Sequence, residues 1–352
     1  MKPLRSLHFK TILASCSLGV SISGCGSHNT VLNTLQSQTV LTPASGDSIT
    51  HKYPVLTSDE LKKIRPNEDG EVPILEYHNV FLKSNSPYSR TVAGLKNDLN
   101  FLYKLNYRPI SMRSYLDNRI NIPAGKSPVI LSFDDADASQ FQYLPNGEIS
   151  PNCAVGVLIA FHKLHPDWRL RGIFFVLPDN AFGRLDERSK KLNALLKMGF
   201  EIGNHTITHP QLSKLSSVRV QWELAQNVAR IKVLAPKADD DVLALPYGVA
   251  PRNRKLALSG SWNGLKYHNR AVMLAGAQPA PAVIDKKFRA IAVPRVQPVP
   301  GKYGMVFWLK YMQEHPGMKY ISDGNPKLTT IPKSCLHNIN RKRLNGAKLR
   351  VY

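Results

Sequence analysis

From Val72 onward, short apolar runs alternate with stretches of helical spacing. Val72-Pro-Ile-Leu-Glu-Tyr77, Val129 to Phe133, Gly172 to Leu177, Phe200 to Gly203 and Val242 to Leu245 read as strands, as do Ala271 to Ala275 and Phe288 to Val293. Between them, Leu95, Leu99, Leu102 and Leu105 recur at helical spacing within Val92 to Leu105. Ala154 to Leu164, Ser189 to Met198 (closed by Gly199), Ser217 to Leu234 and Tyr303 to Glu314 read as further helices. Strands and helices that alternate at this length predict an α/β fold with a parallel sheet. In such folds chemistry gathers where strands end and loops begin.

The N-terminus follows a different pattern. Lys2, Arg5 and Lys10 precede the largely apolar or small stretch Thr11 to Ser23, which runs into Ile22-Ser23-Gly24-Cys25. This is the layout of a secretory leader with small residues before the cleavage point, and the placement of Cys25 is that of a bacterial lipobox. Residues 1–24 are therefore expected to be a lipoprotein signal peptide and Cys25 the lipidated residue, with the protein exported and anchored to a bacterial membrane. Residues 25–70, rich in Ser, Thr, Asn and Gly, read as a tether. The folded domain is expected over 71–340, and 341–352 as a basic C-terminal tail. No internal run approaches the roughly 20 apolar residues of a membrane span.

The 352 residues carry a formal charge of +22, which loss of Lys2, Arg5 and Lys10 with the leader reduces to +19. That balance favours anionic surroundings. No nucleic-acid module or aromatic-interleaved basic motif accompanies it, so no specific nucleic-acid partner is expected. Cys16 leaves with the leader and Cys25 is lipidated, leaving Cys153 and Cys335 as either one disulfide or two thiols.

Two motifs carry the chemistry. Asp134 and Asp135 end the Val129 to Phe133 strand, and His205-Thr-Ile-Thr-His209 follows the Phe200 to Gly203 strand. Two imidazoles and one carboxylate suit a divalent cation, zinc above all, with one position left open. The second carboxylate is then free to accept a proton from water. A zinc-protease His-Glu-x-x-His pattern is excluded, since Thr206 stands where the Glu is required.

With these motifs in view, the chain resembles the polysaccharide deacetylases, the NodB-homology domain of carbohydrate esterase family 4. Ser132-Phe-Asp-Asp-Ala136 is similar to the first family motif. Gly199 to His209 resembles the second, Leu245-Pro-Tyr-Gly248 the third, and Val72 to His78 and Gly172 to Val176 two further strands. The resemblance spans Val72 to Pro332. It implies a distorted (β/α) barrel, an acetylated polysaccharide substrate and a metal-dependent hydrolase. It further implies that Asp134 is the catalytic base, that Asp135, His205 and His209 bind metal, and that the Tyr247 N–H stabilises an oxyanion. An O-acetyl esterase or a non-catalytic glycan-binding lipoprotein is the alternative on the same scaffold.

The chain departs from the pattern at three places. Ala136 replaces a usual Gly, and Ala244 replaces an Arg that holds the base. The late Leu-x-His motif that supplies a general acid has no match. His268, His315, His337 and Asp323 are candidates by residue type alone. Gln140 to Arg171 reads as an insertion that shapes a substrate groove or extends a surface loop.

Overall fold

The computed structural model describes residues 53–83, 86 and 88–352; the leader, Cys25 and most of the expected tether lie outside the described residues. Seven parallel strands form the centre: β1 (Ile74–Tyr77), β2 (Ser127–Phe133), β3 (Ile173–Val176), β4 (Glu201–Asn204), β5 (Val242–Ala244), β6 (Ala271–Ala277) and β7 (Val293–Arg295). They pair in that order. The ring closes where Val296 N donates to Ile74 O at 2.8 Å and Glu76 N donates to Val296 O at 2.9 Å. This is a distorted (β/α) barrel, as the alternating pattern and the resemblance lead one to expect.

Side chains alternate between the two faces of each strand. Ile74, Ile130, Ile173, Phe175, Val242, Met273 and Val293 share one cluster, the filling of the barrel. Leu75, Tyr77, Leu131, Phe133, Phe174 and Val176 belong to the other, against the helices. Seven helices accompany the strands among the described residues: α1 (Ser58–Ile64), α2 (Val92–Lys104), α3 (Met112–Leu116), α4 (Ala154–Leu164), α5 (Arg188–Met198), α6 (Ser217–Leu234) and α7 (Met305–Glu314). None is long and apolar enough to cross a membrane.

Three expectations need correction. The region Gln140 to Arg171 is neither groove nor surface loop in the main. Its α4 is the crossover helix between β2 and β3, with Val155, Val157, Leu158 and Phe161 in the core and Trp168 buried after it. The folded unit also extends beyond 71–340. Helix α1 carries a reciprocal Thr57–Glu60 capping box, and Asn67, Glu68 and Asp69 are buried although polar. Hydrogen bonds hold them: Thr330 N donates to Glu68 Oε2 at 2.8 Å, and Asn338 Nδ2 donates to Asp69 Oδ2 at 3.1 Å. The expected tail pairs as a strand, Lys348–Val351 beside Leu328–Ile331. Finally, the last barrel strand is Val293–Arg295 rather than Phe288 to Val293. Cys153 and Cys335 are separate thiols, one in each core cluster.

Candidate functional site

The C-terminal ends of the strands converge on one rim. Asp134 and Asp135 leave β2, His205 to His209 leave β4, and Pro246-Tyr247-Gly248 follows β5. Five rim residues sit in the left-handed region without being glycine: Asp135 (φ 73°), Ala136 (φ 51°), Thr206 (φ 68°), His209 (φ 54°) and Tyr247 (φ 59°). Each costs on the order of 1–3 kcal/mol, and such outliers cluster where a site dictates the backbone. Ala136 thus holds a left-handed backbone that a glycine adopts more readily.

Asp135, His205 and His209 place one ligand atom each within 4.8 Å of one another. His205 Nε2 lies 3.3 Å and His209 Nε2 3.5 Å from Asp135 Oδ1. The other nitrogen of His205, Nδ1, is 2.9 Å from Ala244 O. A carbonyl can only accept, so Nδ1 carries the proton and Nε2 presents a lone pair. That Nε2 is buried and has no hydrogen-bond partner. An orphaned imidazole lone pair aimed at a carboxylate and a second imidazole is what a divalent cation fits. Burial opposes charge on Asp135, and with no cation bound it takes a second proton, on His205 Nε2, to offset that and hold the carboxyl below the ordinary range. His209 is also held below its ordinary value, by burial and then by His205.

The loop between the two histidines is anchored from α6. Glu223, fully buried, accepts from Ile207 N (3.1 Å), Thr208 N (3.0 Å) and Thr208 Oγ1 (2.7 Å), and Arg219 balances its charge at 3.0 Å. Asn227 Nδ2 donates to Thr206 O at 2.5 Å and Val176 O at 2.8 Å.

Asp134 is not part of the ligand cluster. Its two oxygens accept from Nη1 and Nη2 of Arg295, each at 2.7 Å. Arg295, on β7 and fully buried, also donates to Glu76 Oε1 (3.1 Å), Ser132 Oγ (3.2 Å) and Leu274 O (2.7 Å). Burial alone would push the Asp134 carboxyl up. The Arg295 guanidinium outweighs burial, with His205 assisting, and holds it well below the usual carboxylate range. The Arg that the sequence lacks at Ala244 on β5 therefore has its counterpart on β7. Only the bare Val-Pro-Arg of that strand hints at it.

Tyr247 is largely exposed, and its ring meets His209 edge-on at 4.8 Å. The four candidates for a proton donor lie elsewhere. His268 is on the exposed Ser259–Trp262/Leu265–His268 hairpin, His315 stacks on Tyr311 at the end of α7, and His337 lies in an exposed turn. Asp323 is buried and accepts from Thr330 Oγ1 at 2.5 Å.

The C-terminal rim of a parallel barrel thus brings together two imidazoles and one carboxylate, a donor set that could hold a divalent cation, beside a second carboxylate held by a guanidinium. Residues 121–260 match the family model described as polysaccharide deacetylase. A chitooligosaccharide deacetylase of Sinorhizobium fredii is 28% identical over 125 residues, 36% of this chain and 49% of that protein, so the chain spans about half the length of this curated relative. Among solved structures, a putative polysaccharide deacetylase from Bacillus anthracis aligns with TM-score 0.51 at 15% identity, covering 72% of this chain and 69% of that one. A Streptococcus pyogenes deacetylase in complex with acetate aligns with TM-score 0.51 at 17% identity, covering 69% and 97%. These two likenesses support the barrel fold. The matched stretch contains Asp134, Asp135, His205, His209 and Tyr247, but neither Glu76 nor Arg295.

Proposed function

We propose that the chain is a metal-dependent hydrolase that removes acetyl groups, N-linked ones first, from an envelope or extracellular polysaccharide. The observation that carries the reading is the unpartnered Nε2 of His205, 3.3 Å from Asp135 beside His209, next to a carboxylate fixed by Arg295.

Asp135, His205 and His209 would hold a divalent cation, zinc being the ion their donor types suit best. Bound there, it supplies Lewis-acid polarisation of the acetyl carbonyl. Asp134 accepts a proton from the attacking water; Arg295 fixes the orientation of its oxygens and keeps it ionised. The Tyr247 N–H is the donor proposed for the oxyanion. The absence of Arg at Ala244 argued for a non-catalytic glycan binder; Arg295 removes that argument.

The test is acetate release from N-acetylglucosamine oligomers. Wild type is expected to release acetate, chelation to abolish release and added zinc to restore it, while Asp134→Asn loses it by roughly 10²–10⁴-fold. Absence of acetate release by metal-supplied wild type from N- and O-acetylated glycans alike overturns the reading. The proposal includes export and lipid anchoring at Cys25, with no specific nucleic-acid partner. Cys25→Ser is expected to move the protein from the membrane fraction to the soluble one.

A further inference from the structure

We propose that the end of the barrel opposite the Asp134 rim docks on anionic phospholipid headgroups, through a recess ringed by Arg119, Lys327 and Lys348. This rests on the export and anchoring at Cys25 in the reading above, and adds which way the anchored domain faces.

The recess measures about 670 Å³, and its walls include Tyr53, Arg119, Asn121, Lys327, Asn345 and Lys348. That size lies within the roughly 300–1,000 Å³ of ligand-holding clefts. No Asp or Glu lines it. Arg119, Lys327 and Lys348 are exposed and have no carboxylate partner among the described residues. Arg119 Nη2 donates to Asn345 O at 3.3 Å, and Lys327 Nζ sits 5.8 Å from the centre of the Tyr53 ring. Carboxylates close by in the chain are engaged: Asp117 by Arg270, Asp59 by Lys62, and Glu60 by the Thr57 N–H. Residues 324–352 carry seven Lys or Arg and no Asp or Glu. Cations gathered without a counter-charge of their own repel one another, and an anionic surface relieves that repulsion.

Topology places the recess away from the site. Met112 N, at the start of α3, donates to Glu201, the first residue of β4, at 2.5 Å. Arg119 and Asn121 lie in the connection that leaves α3 and enters β2 at Ser127. Asn118 Nδ2 donates to Thr329 Oγ1 at 3.1 Å, which fixes the Leu328–Ile331 strand to that connection. Asp134 follows the other end of β2, about 20 Å along the strand. A bilayer against the recess therefore leaves Asp134 and the ligand cluster facing outward.

The layout of the chain favours a lipid surface as the anion. The described residues begin at Tyr53, itself a wall of the recess. A chain anchored at Cys25 thus enters the domain at this face. Residues 26–52 reach at most about 100 Å, at roughly 3.3–3.6 Å per residue. A leash of that reach lets any face meet the bilayer, so the charges decide the orientation. Each cation near an anionic surface favours contact roughly fivefold, and three together roughly a hundredfold. That is weak for a free protein and sufficient for one already held at the surface, because tethering raises the effective concentration.

The experiment removes the anchor and reads the face alone. The full chain carrying Cys25→Ser is sedimented with vesicles of phosphatidylglycerol and phosphatidylcholine in equal parts, or of phosphatidylcholine alone, at low and high salt. The expected result is binding to the anionic vesicles only, released by salt. Adding Arg119→Glu, Lys327→Glu and Lys348→Glu is expected to weaken partitioning by roughly a hundredfold or more. Gln at the same three positions, a milder change, is expected to follow. Glu at the exposed Lys255, Lys266 and Lys310, which gives the same net charge, is expected to weaken it less than roughly tenfold. Equal losses in the two Glu sets, or no binding to anionic vesicles, overturn the proposal. Binding of inorganic phosphate or of an acidic polysaccharide without binding of vesicles gives the recess another occupant and overturns it as well. Wild type in the membrane fraction with no vesicle binding by Cys25→Ser removes the docking face and leaves the anchor standing. Vesicle binding by Cys25→Ser with wild type in the soluble fraction removes the anchor instead.

Discussion

Replacing Arg295 by Met keeps much of the apolar stem of the side chain and removes its charge. Five hydrogen bonds disappear: two at 2.7 Å to Asp134, one at 3.1 Å to Glu76, and those to Ser132 and Leu274. Asp134 and Glu76 are then left 2% and 3% exposed with no cation between them. Breaking a buried pair from one side costs about 3–5 kcal/mol, because the stranded charge cannot return to water. That is a large share of the ~5–15 kcal/mol that stabilises a domain. Asp134→Asn removes one of the stranded charges, so the double variant should recover part of the loss, a coupling of about 0.5–3 kcal/mol. The assay is urea unfolding of wild type, both single variants and the double variant at one pH. Additivity within about 0.5 kcal/mol, or a cost below about 1 kcal/mol for Arg295→Met alone, would refute the reasoning. Folded variant that survives should also show the acidic limb of its pH–rate profile moved upward, since burial then acts on Asp134 without the guanidinium that opposes it.

His205→Ala removes the unpartnered nitrogen, and stoichiometric zinc in elemental analysis is expected to fall to a trace; retained zinc contradicts the ligand set. Glu223→Ala frees three donors of the 206–209 loop, and a 10–100-fold weaker zinc affinity by competition titration is expected together with roughly 2–4 kcal/mol of lost stability. Glu201 provides a pH test: burial pushes its carboxyl up to about 7, against backbone donation from Arg113 and Met112. A raised folded-state value means that the protonated form is favoured in the fold. Its contribution is full below about pH 4.5 and is lost as pH rises through about 7, a span worth at most about 3 kcal/mol. Wild type should therefore lose more stability between pH 5 and 8 than Glu201→Gln does; equal losses in urea titrations would remove Glu201 as a contributor.

The ligand cluster was legible because its residues sit in short motifs at strand ends, where local spacing carries the signal. Asp134–Asp135 and His205–His209 each announce themselves within a few positions. Arg295 did not, because its partner Asp134 lies 161 residues away and nothing in Val293-Pro-Arg separates a functional arginine from an ordinary one. Glu223 is hidden for a related reason: a helix face that buries a carboxylate against a loop leaves no periodic trace. The same blindness misplaced the N-terminal boundary. Asn67, Glu68 and Asp69 look like linker by composition, yet they are buried through hydrogen bonds to the C-terminal segment, and no hydropathy pattern records such pairing.

The seam between β1 and β7 ties the order of assembly to the chemistry. The ligand residues come from β2 and β4, near neighbours along the chain, whereas Glu76 and Arg295 are 219 residues apart. Closing that distance is the most non-local pairing within the ring of seven strands, and non-local contacts form at a greater entropic cost than local ones. A chain halted before β7 already owns the three ligand residues, but its base has no guanidinium to hold it. On the function proposed above, the residues for a cation and the holding of the base thus belong to different stages of folding, and ring closure completes the second.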